Sequence, residues 1–456
     1  MLYPIFILFC YILQTFAAPN GPKSPLYDNF YSLPKGYENA KPGDILKVRP
    51  APNKIDSPLV PIDVKNVWQI VVRSKDSFGK ATAFVTTLIE PYNADPSKVL
   101  SYQTFEDSAN ITCSPSYGFQ FGAPSNTIAS KVDLAFMGIA LKNGYFVNSP
   151  DYEGFNSAFT VGRRSGQAVL DSIRAVLQSG SFSGVKKNAK VGLWGYSGGS
   201  LASGWAAALQ PSYAPELKKN IIGASLGGFV TNITAVAEIV DGTLFAGLIP
   251  LALTGLGNEY PKARKIIKDS VAPHHKKRFS AGKRLCFTPA IPFYDSNNIL
   301  TGQDPMIPVG FDLLKTPVLK KIVKANSIVY LNRSYVPEIP IFVYHGSLDK
   351  VVPIKDVKKT YSKWCKWGIK SFEFAEDLSN GHVNEELIGA PAGWTWLELR
   401  FQGKKPINGC SNSPRLSNFF YPGISIATSS YFAGILDSFF KVDLGEFSFV
   451  DAIGKY

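Results

Sequence analysis

Apolar and polar positions change period several times along this chain. The stretches WQIVVRS, ATAFVTTLIEP and KVLSYQTF, between Trp68 and Phe105, are rich in β-branched and aromatic residues and bounded by turn formers, which predicts strands. A helix-like stretch to Lys142 is followed by GYFVNSPDYEG and then by GRRSGQAVLDSIRAVLQSG. In the latter, Ala168, Leu170, Ile173, Val176 and Leu177 recur at helical spacing. KVGLWGY and NIIGASLGG read as buried strands, and the core pattern returns in IPIFVYHGSLDKVVP and KSFEFAEDLSNGHVNE. Strands that alternate with helices predict a mostly parallel central sheet covered on both faces, an α/β architecture.

Two regions break this rhythm. Residues 19–66 are rich in Pro, Asn, Lys and Asp with little period, as expected of a wrapping arm. Near Asn232 the pattern changes again: 241–257 is apolar with helix-compatible spacing, a basic cluster follows, and proline-rich loops continue to about Asn326. Residues 233–325 therefore read as an insertion seated on the sheet, dividing a core into 18–232 and 326–456.

The whole chain has 456 residues, 45% hydrophobic and 18% charged, too apolar for disorder and too interrupted for a multi-span membrane protein. Its first 17 residues carry no acidic or basic side chain and end in Thr15-Phe16-Ala17, which reads as a signal peptide cut near Ala17. No later stretch has the length to form a transmembrane segment. Removing Cys10 with the leader leaves Cys113, Cys286, Cys365 and Cys410, so two disulfides are expected among three pairings. None of these cysteines has CxxC spacing or a nearby histidine, and no metal site is expected. Sequons at Asn110, Asn232 and Asn332 suit the same secreted, extracellular setting, as N-glycosylation acceptors.

Net charge is +13, and much of it is local: nine Lys and Arg lie between Lys262 and Arg284, offset only by Asp269. In a secreted chain an anionic interface or cell wall suits such a cluster better than nucleic acid, for which no role is expected. A solvated basic face accounts for it equally well.

The chemistry concentrates at Gly195-Tyr196-Ser197-Gly198-Gly199, a G-x-S-x-G motif between a predicted strand and a predicted helix. A serine at such an elbow takes a strained backbone conformation, and its flanking glycines avoid collisions that a Cβ would make. The helix N-terminus then points free N–H groups at the reacting atom. A serine hydroxyl needs a base, and the chain offers only four histidines. His274 and His275 lie in the basic insertion and read as solvated surface; His345 fits a packing or hydrogen-bonding role in its turn. His382, in SNGHVNE after a predicted strand, is the candidate base, carried by a loop to the sheet's edge. Asp349, after the strand IFVYHGS, is the candidate acid, with Asp356, Asp377 and Glu385 as alternatives. Ser197, Asp349, His382 is the chain order of an α/β-hydrolase.

FEDSANITC with PSYGF after it, GYFVNSPDYEGF, KVGLWGYSGGS, SYAPEL, GASLGG, YHGSLDKVVP and NGHVNE together resemble the secreted yeast lipases of the Candida lipase family, of the Candida antarctica lipase A type. The likeness covers nearly all of the chain after the leader. It implies an α/β-hydrolase fold with a mainly helical cap, and triacylglycerol hydrolysis at an oil-water interface without a cofactor, by an enzyme expected to be monomeric. It places the catalytic serine, acid and base at Ser197, Asp349 and His382. It places the oxyanion hole at the Gly198 N–H and at Asp107, which acts through its backbone N–H or a protonated side chain. A turn or helix cap is the alternative role for Asp107. The same resemblance implies bridges Cys113–Cys286 and Cys365–Cys410, a cap over 233–325 carrying an acyl tunnel, and a C-terminal flap over about 422–434. Two rivals need stating: a serine peptidase or carboxypeptidase on this scaffold, and a non-catalytic binding protein that keeps the hydrolase shell.

Overall fold

The computed structural model describes residues 21–441; the expected leader, 1–17, lies outside them. Among the described residues ten strands form one sheet: β1 (Ile45–Pro50), β2 (Asn66–Lys75), β3 (Ala81–Glu90), β4 (Asp95–Gln103), β5 (Tyr145–Pro150), β6 (Lys190–Tyr196), β7 (Ile221–Gly227), β8 (Ile341–Gly346), β9 (Ser371–Asp377) and β10 (Gly409–Asn412). Their order is β1-β2-β3-β5-β4-β6-β7-β8-β9-β10. The pairs β1/β2, β2/β3 and β3/β5 are antiparallel, and from β5 to β10 every pair is parallel.

Side chains along the central strands alternate between two buried layers, as the period-two geometry of a strand requires. Val191 and Leu193 of β6 and Ile341 and Val343 of β8 enter one layer, with α2 (Gly162–Gln178) and α3 (Gly198–Tyr213). Trp194, Tyr196, Phe342 and Tyr344 enter the other, with α1 (Ile128–Lys142). A strand covered on both faces has no polar side, which is why these segments read as continuous apolar runs.

Residues 233–325, between β7 and β8, hold no strand. They include α4 (Ile233–Val240), α5 (Leu248–Glu259) and α6 (Pro261–Ser270), and their buried side chains join the α2/α3 layer. Two ties fix α5 and the chain beyond it to the core. Arg164 of α2 meets Glu259 at the end of α5 at 2.6 Å, with both side chains almost fully buried. Cys113 and Cys286 are joined by a disulfide, Cα–Cα 5.4 Å. The remaining helices used below are α7 (Ile354–Lys366), α8 (His382–Phe401) and α9 (Ile426–Lys441). A second disulfide, Cα–Cα 6.1 Å, ties Cys365 of α7 to Cys410 of β10.

Four expectations change here. The arm 19–66 contains β1, which extends the sheet antiparallel to β2; its half-exposed, charge-bearing sequence ILKVRP hides the strand period. The stretch expected as proline-rich loops contains helices Phe287–Tyr294 and Pro317–Ala325. In the second, proline occupies the first turn, where no N–H is needed, and Leu319 and Val323 bury one face. The expected flap, 422–434, runs into α9, whose Tyr431 hydroxyl donates to the Ala135 carbonyl of α1 at 2.7 Å and whose Phe432 ring packs near Phe136. None of its residues lines the cavity beside Ser197. His382 is the first residue of α8 and not a loop residue.

Candidate active site

Parallel strands bring their C-terminal ends to one edge of the sheet, where α/β folds bind ligands. Ser197 follows β6, Asp107 follows the neighbouring β4, Asp349 follows β8 and His382 follows the adjacent β9. Residues more than two hundred positions apart meet there because the strand order, and not the chain order, sets the neighbours.

Ser197 has φ 49° and ψ −119°, a left-sided conformation unfavourable for any residue with a Cβ. Its cost, of order 1–3 kcal/mol, is offset by surroundings that over-determine the turn. The Ser197 N–H donates to the Gly227 carbonyl at 3.0 Å, and its carbonyl accepts from the Ser200 and Leu201 N–H groups. A Cβ on Gly199 would collide with the Gln103 carbonyl, and one on Gly198 with Oδ1 of Asp107. The glycines therefore let the elbow lie directly against the end of β4.

His382 Nε2 lies 2.8 Å from Ser197 Oγ, and its Nδ1 lies 2.7 Å from Asp349 Oδ2. The Tyr196 hydroxyl donates to the His382 carbonyl at 2.5 Å, fixing the start of α8 from below. Asp349 is fully buried in its side chain, and its other oxygen accepts from the Val351 and Val352 N–H groups at 2.8 and 2.6 Å. Burial alone would raise its pKa, but His382, His345 and the Val352 N–H hold it below the usual carboxylate value. An ionised carboxylate at Nδ1 keeps the proton there, leaving Nε2 free to accept from the serine. These contacts form a continuous proton path from hydroxyl to imidazole.

Asp107 lines the same cavity as Ser197 and Gly198. It has φ 42°, is buried, and its Oδ1 has no hydrogen-bond partner among the described residues. Burial pushes its pKa up to about 7, with His382 opposing the rise. Below that pH its carboxyl is protonated and has a proton to donate into the cavity. The Gly198 N–H, at the first position of α3, has no intrahelical acceptor and points from the same end of the helix.

Further residues shape the site without having announced themselves in the sequence. Asp133 of α1 accepts from the Tyr102 hydroxyl at 2.8 Å and the Phe105 N–H at 2.9 Å, holding the loop that carries Asp107. Tyr152 donates to the Thr104 carbonyl at 2.7 Å. Burial raises Glu106, Asp133, Asp151 and Glu153 above ordinary carboxylate values. A buried acid looks like any surface acid in a sequence, so no local signal marks this group.

The alternative acids are occupied elsewhere. Asp377 accepts from the Ser379, Asn380 and Asn418 N–H groups and so shapes the approach to His382; Glu385 bonds Asn418 and Asn380; Asp356 accepts from Asn232. His345 is buried, accepts the Phe229 N–H at Nδ1 and places Nε2 3.0 Å from the Val352 carbonyl, so its second nitrogen carries the proton. His274 is exposed and His275 half-buried, and both contact the exposed Asp304 at 3.0 Å, away from Ser197. Of the sequons, Asn332 is exposed, Asn110 is half-buried with its amide donating to the Arg284 carbonyl, and Asn232 is buried, caps α4 and donates to Asp356.

The wall opposite the polar groups is apolar. Ile233, Val236 and Ala237 of α4 and Leu248, Ile249 and Ala252 of α5 line a cavity of about 60 Å³ beside Ser197. A second cavity of about 30 Å³ shares Ile233, Ala237, Ile249 and Ala252 with it and continues toward Leu256 and Leu314. Among the described residues no helix is long and apolar enough to cross a membrane.

Comparison with known proteins bears on the family to which the chain belongs. Residues 119–409 match the family model described as secretory lipase. The chain is 58% identical to Lipase 1 of Candida albicans over 97% of its own length and 94% of that protein, and 55% identical to Lipase 2 of the same organism over 92% and 90%. Its fold superposes on Candida antarctica lipase A in its closed state with TM-score 0.80 at 27% identity, covering 92% of this chain and 96% of that one. A rice cell wall degrading esterase, LipA from Xanthomonas oryzae, shares the fold alone, with TM-score 0.60 at 14% identity over 80% of this chain and all of that one. A serine elbow joined to an imidazole and a carboxylate at the strand ends of an α/β-hydrolase sheet, and a sequence related over nearly its full length to yeast lipases, show that this chain belongs to the secretory lipase family, whose members are carboxylic ester hydrolases.

Proposed function

We propose that the chain hydrolyses triacylglycerols through an acyl-enzyme formed on Ser197. The observation that carries this reading is the unbroken hydrogen-bonded series Ser197 Oγ, His382 Nε2, His382 Nδ1, Asp349 Oδ2, with both links under 3 Å. His382 takes the serine proton as Oγ attacks the ester carbonyl, and Asp349 holds the imidazole and stabilises the imidazolium. The tetrahedral oxyanion rests on the Gly198 N–H and on Asp107, whose protonated carboxyl donates to it. A bare carboxylate would repel that charge, so the raised pKa of Asp107 belongs to the same design. His382 then protonates the departing glyceride alcohol, and water attacks the acyl-enzyme by the reverse path.

The apolar walls of α4 and α5 receive the acyl chain, and 233–325 acts as the cap. An intact serine, base and acid favour an enzyme over a binding protein that keeps only the shell, and an apolar wall beside the serine favours an acyl chain over a peptide terminus. A cleaved leader at 1–17 and a glycan at Asn332, the exposed sequon, complete a secreted, extracellular enzyme acting at an oil-water interface. A fluorophosphonate probe tests the core of this reading: it labels Ser197, and labelling abolishes hydrolysis of triglycerides from short to long acyl chains. Triglyceride turnover that persists in the fully labelled protein would reject it.

A further inference from the structure

The basic run 262–284 takes no part in the chemistry at Ser197, yet it is built around a cavity of its own. α6 and the short helical turns after it enclose, with the outer face of α5, a groove of about 620 Å³. Its floor is apolar and buried, made by Leu253, Ile267, Val271 and Phe279. Its rim is cationic: Lys268, Lys276, Lys277 and Lys283 line it, are exposed, and make no ion pair or side-chain hydrogen bond among the described residues. Arg264, also on the rim, is engaged, its guanidinium donating to the Gly257 and Asn258 carbonyls. Asp269, the one carboxylate of the run, pairs with Lys265 at 2.7 Å and also feels the charges of Lys268 and Lys276, so it offsets part of the rim's charge without a contact to them.

Exposed cations in excess above an apolar floor define a narrow class of complement. A small polar anion would leave the floor wet, and a neutral hydrocarbon would bring nothing to the ammonium groups. A single anionic head on a long alkyl tail satisfies both, and the groove falls within the roughly 300–1,000 Å³ typical of ligand sites. α5 is shared between two cavities. Leu248, Ile249 and Ala252 face Ser197, Thr254 faces the groove, and Leu253 lines both the groove and the inner extension of the catalytic cavity.

We propose that this groove binds the carboxylate form of a long-chain fatty acid, its tail on Leu253, Ile267 and Phe279 and its head among Lys268, Lys276 and Lys283. The proposal rests on the lipase reading only for the source of the ligand, since ester hydrolysis generates that anion one helix away.

The test uses the full chain with Ser197 blocked by an alkyl phosphonate, which fills the catalytic cavity, titrated calorimetrically with oleate below its micelle concentration. One equivalent binds; oleyl alcohol and acetate each bind at least tenfold more weakly. The triple variant K268E/K276E/K283E loses at least tenfold in oleate affinity, and when unblocked it hydrolyses p-nitrophenyl butyrate at the parent rate, which shows that it is folded. Oleate binding unchanged by the triple reversal, or oleyl alcohol binding as tightly as oleate, overturns the proposal. So does capture by anionic phospholipid vesicles that free oleate does not weaken, which would make the groove a surface-docking face. Failure of the phosphonate to label Ser197 sinks the catalytic reading instead, and the lysine reversal then carries the same test in the unblocked protein.

Discussion

The two sides of the catalytic cavity are built on different physics. On the sheet side the serine, histidine and aspartate are held by directional bonds: Ser197 by Gly227, His382 by Tyr196 and Asp349, and Asp349 by two backbone N–H groups. On the cap side Ile233, Val236, Leu248, Ile249 and Ala252 make contacts that have no preferred direction, around a cavity of about 60 Å³. That is small against the hundreds of Å³ of a typical ligand site. The difference teaches that the polar groups are fixed in place by directional bonds, while the apolar side leaves a small space bounded by side chains that can repack. Apolar walls repack at little cost, whereas a hydrogen-bonded triad displaced by 1 Å loses its advantage.

The largest effects are expected on the rigid side. Ser197→Ala lowers kcat by about 10⁵–10⁶-fold, checked on triglyceride and on a soluble ester, with the thermal unfolding midpoint kept. Asp349→Asn leaves the geometry but permits the wrong imidazole tautomer, lowering kcat about 10⁴-fold. A drop of less than tenfold in that variant would mean that His382 is oriented by something other than Asp349. Asp107→Ala removes one oxyanion donor and lowers kcat about 10²–10³-fold with little change in KM.

On the cap side effects are smaller and depend on substrate. Ile249→Trp fills the acyl wall and lowers kcat/KM for long-chain esters roughly 10- to 100-fold while butyrate esters are spared. Equal loss on both would show that the wall and the triad are mechanically one unit, and the contrast drawn between them would fail.

The buried acids add a pH dependence with a definite sign. Asp107 is raised from an ordinary value of 3.8 to about 7 in the folded chain. Between those two values the folded state binds more protons than the unfolded state, so this contribution to stability is complete below pH 3.8 and is lost as pH rises through about 7. Asp133 and Asp151 are shifted in the same direction. Denaturant titrations should therefore show stability falling as pH rises from 5 to 8, and in Asp107→Asn that slope should flatten. Turnover should fall over the same interval as Asp107 ionises, by a smaller factor in the Asn variant, whose amide remains a donor.

The G-x-S-x-G elbow was legible because its signal is local: a strand pattern, small residues around one serine, a helix pattern. His382 and Asp349 were legible because few histidines exist and each candidate followed a strand. That His382 opens a helix was not legible, because the segment HVNEELIGAPAGW carries a proline and glycines that weaken any helical signal. β1 is not legible in the sequence because an edge strand with one wet face lacks a continuous apolar run. Asp107 came from family likeness and from no property of FEDS itself; its burial, its unpartnered oxygen and its raised pKa exist only once β4 lies beside β6.

By itself the sequence determined the alternation of strands and helices, the site of the tight turn, the inserted segment and the concentration of positive charge within it. These are properties of neighbours along the chain, where steric preference and periodicity act. Only the tertiary structure decided how the alternative acids are engaged elsewhere, how small the cavity beside Ser197 is, which sequon faces water, and that the basic run rims a groove sharing a helix with the catalytic cavity. Those depend on burial and on distance through space, and strand order in the sheet, which no local pattern encodes, sets both.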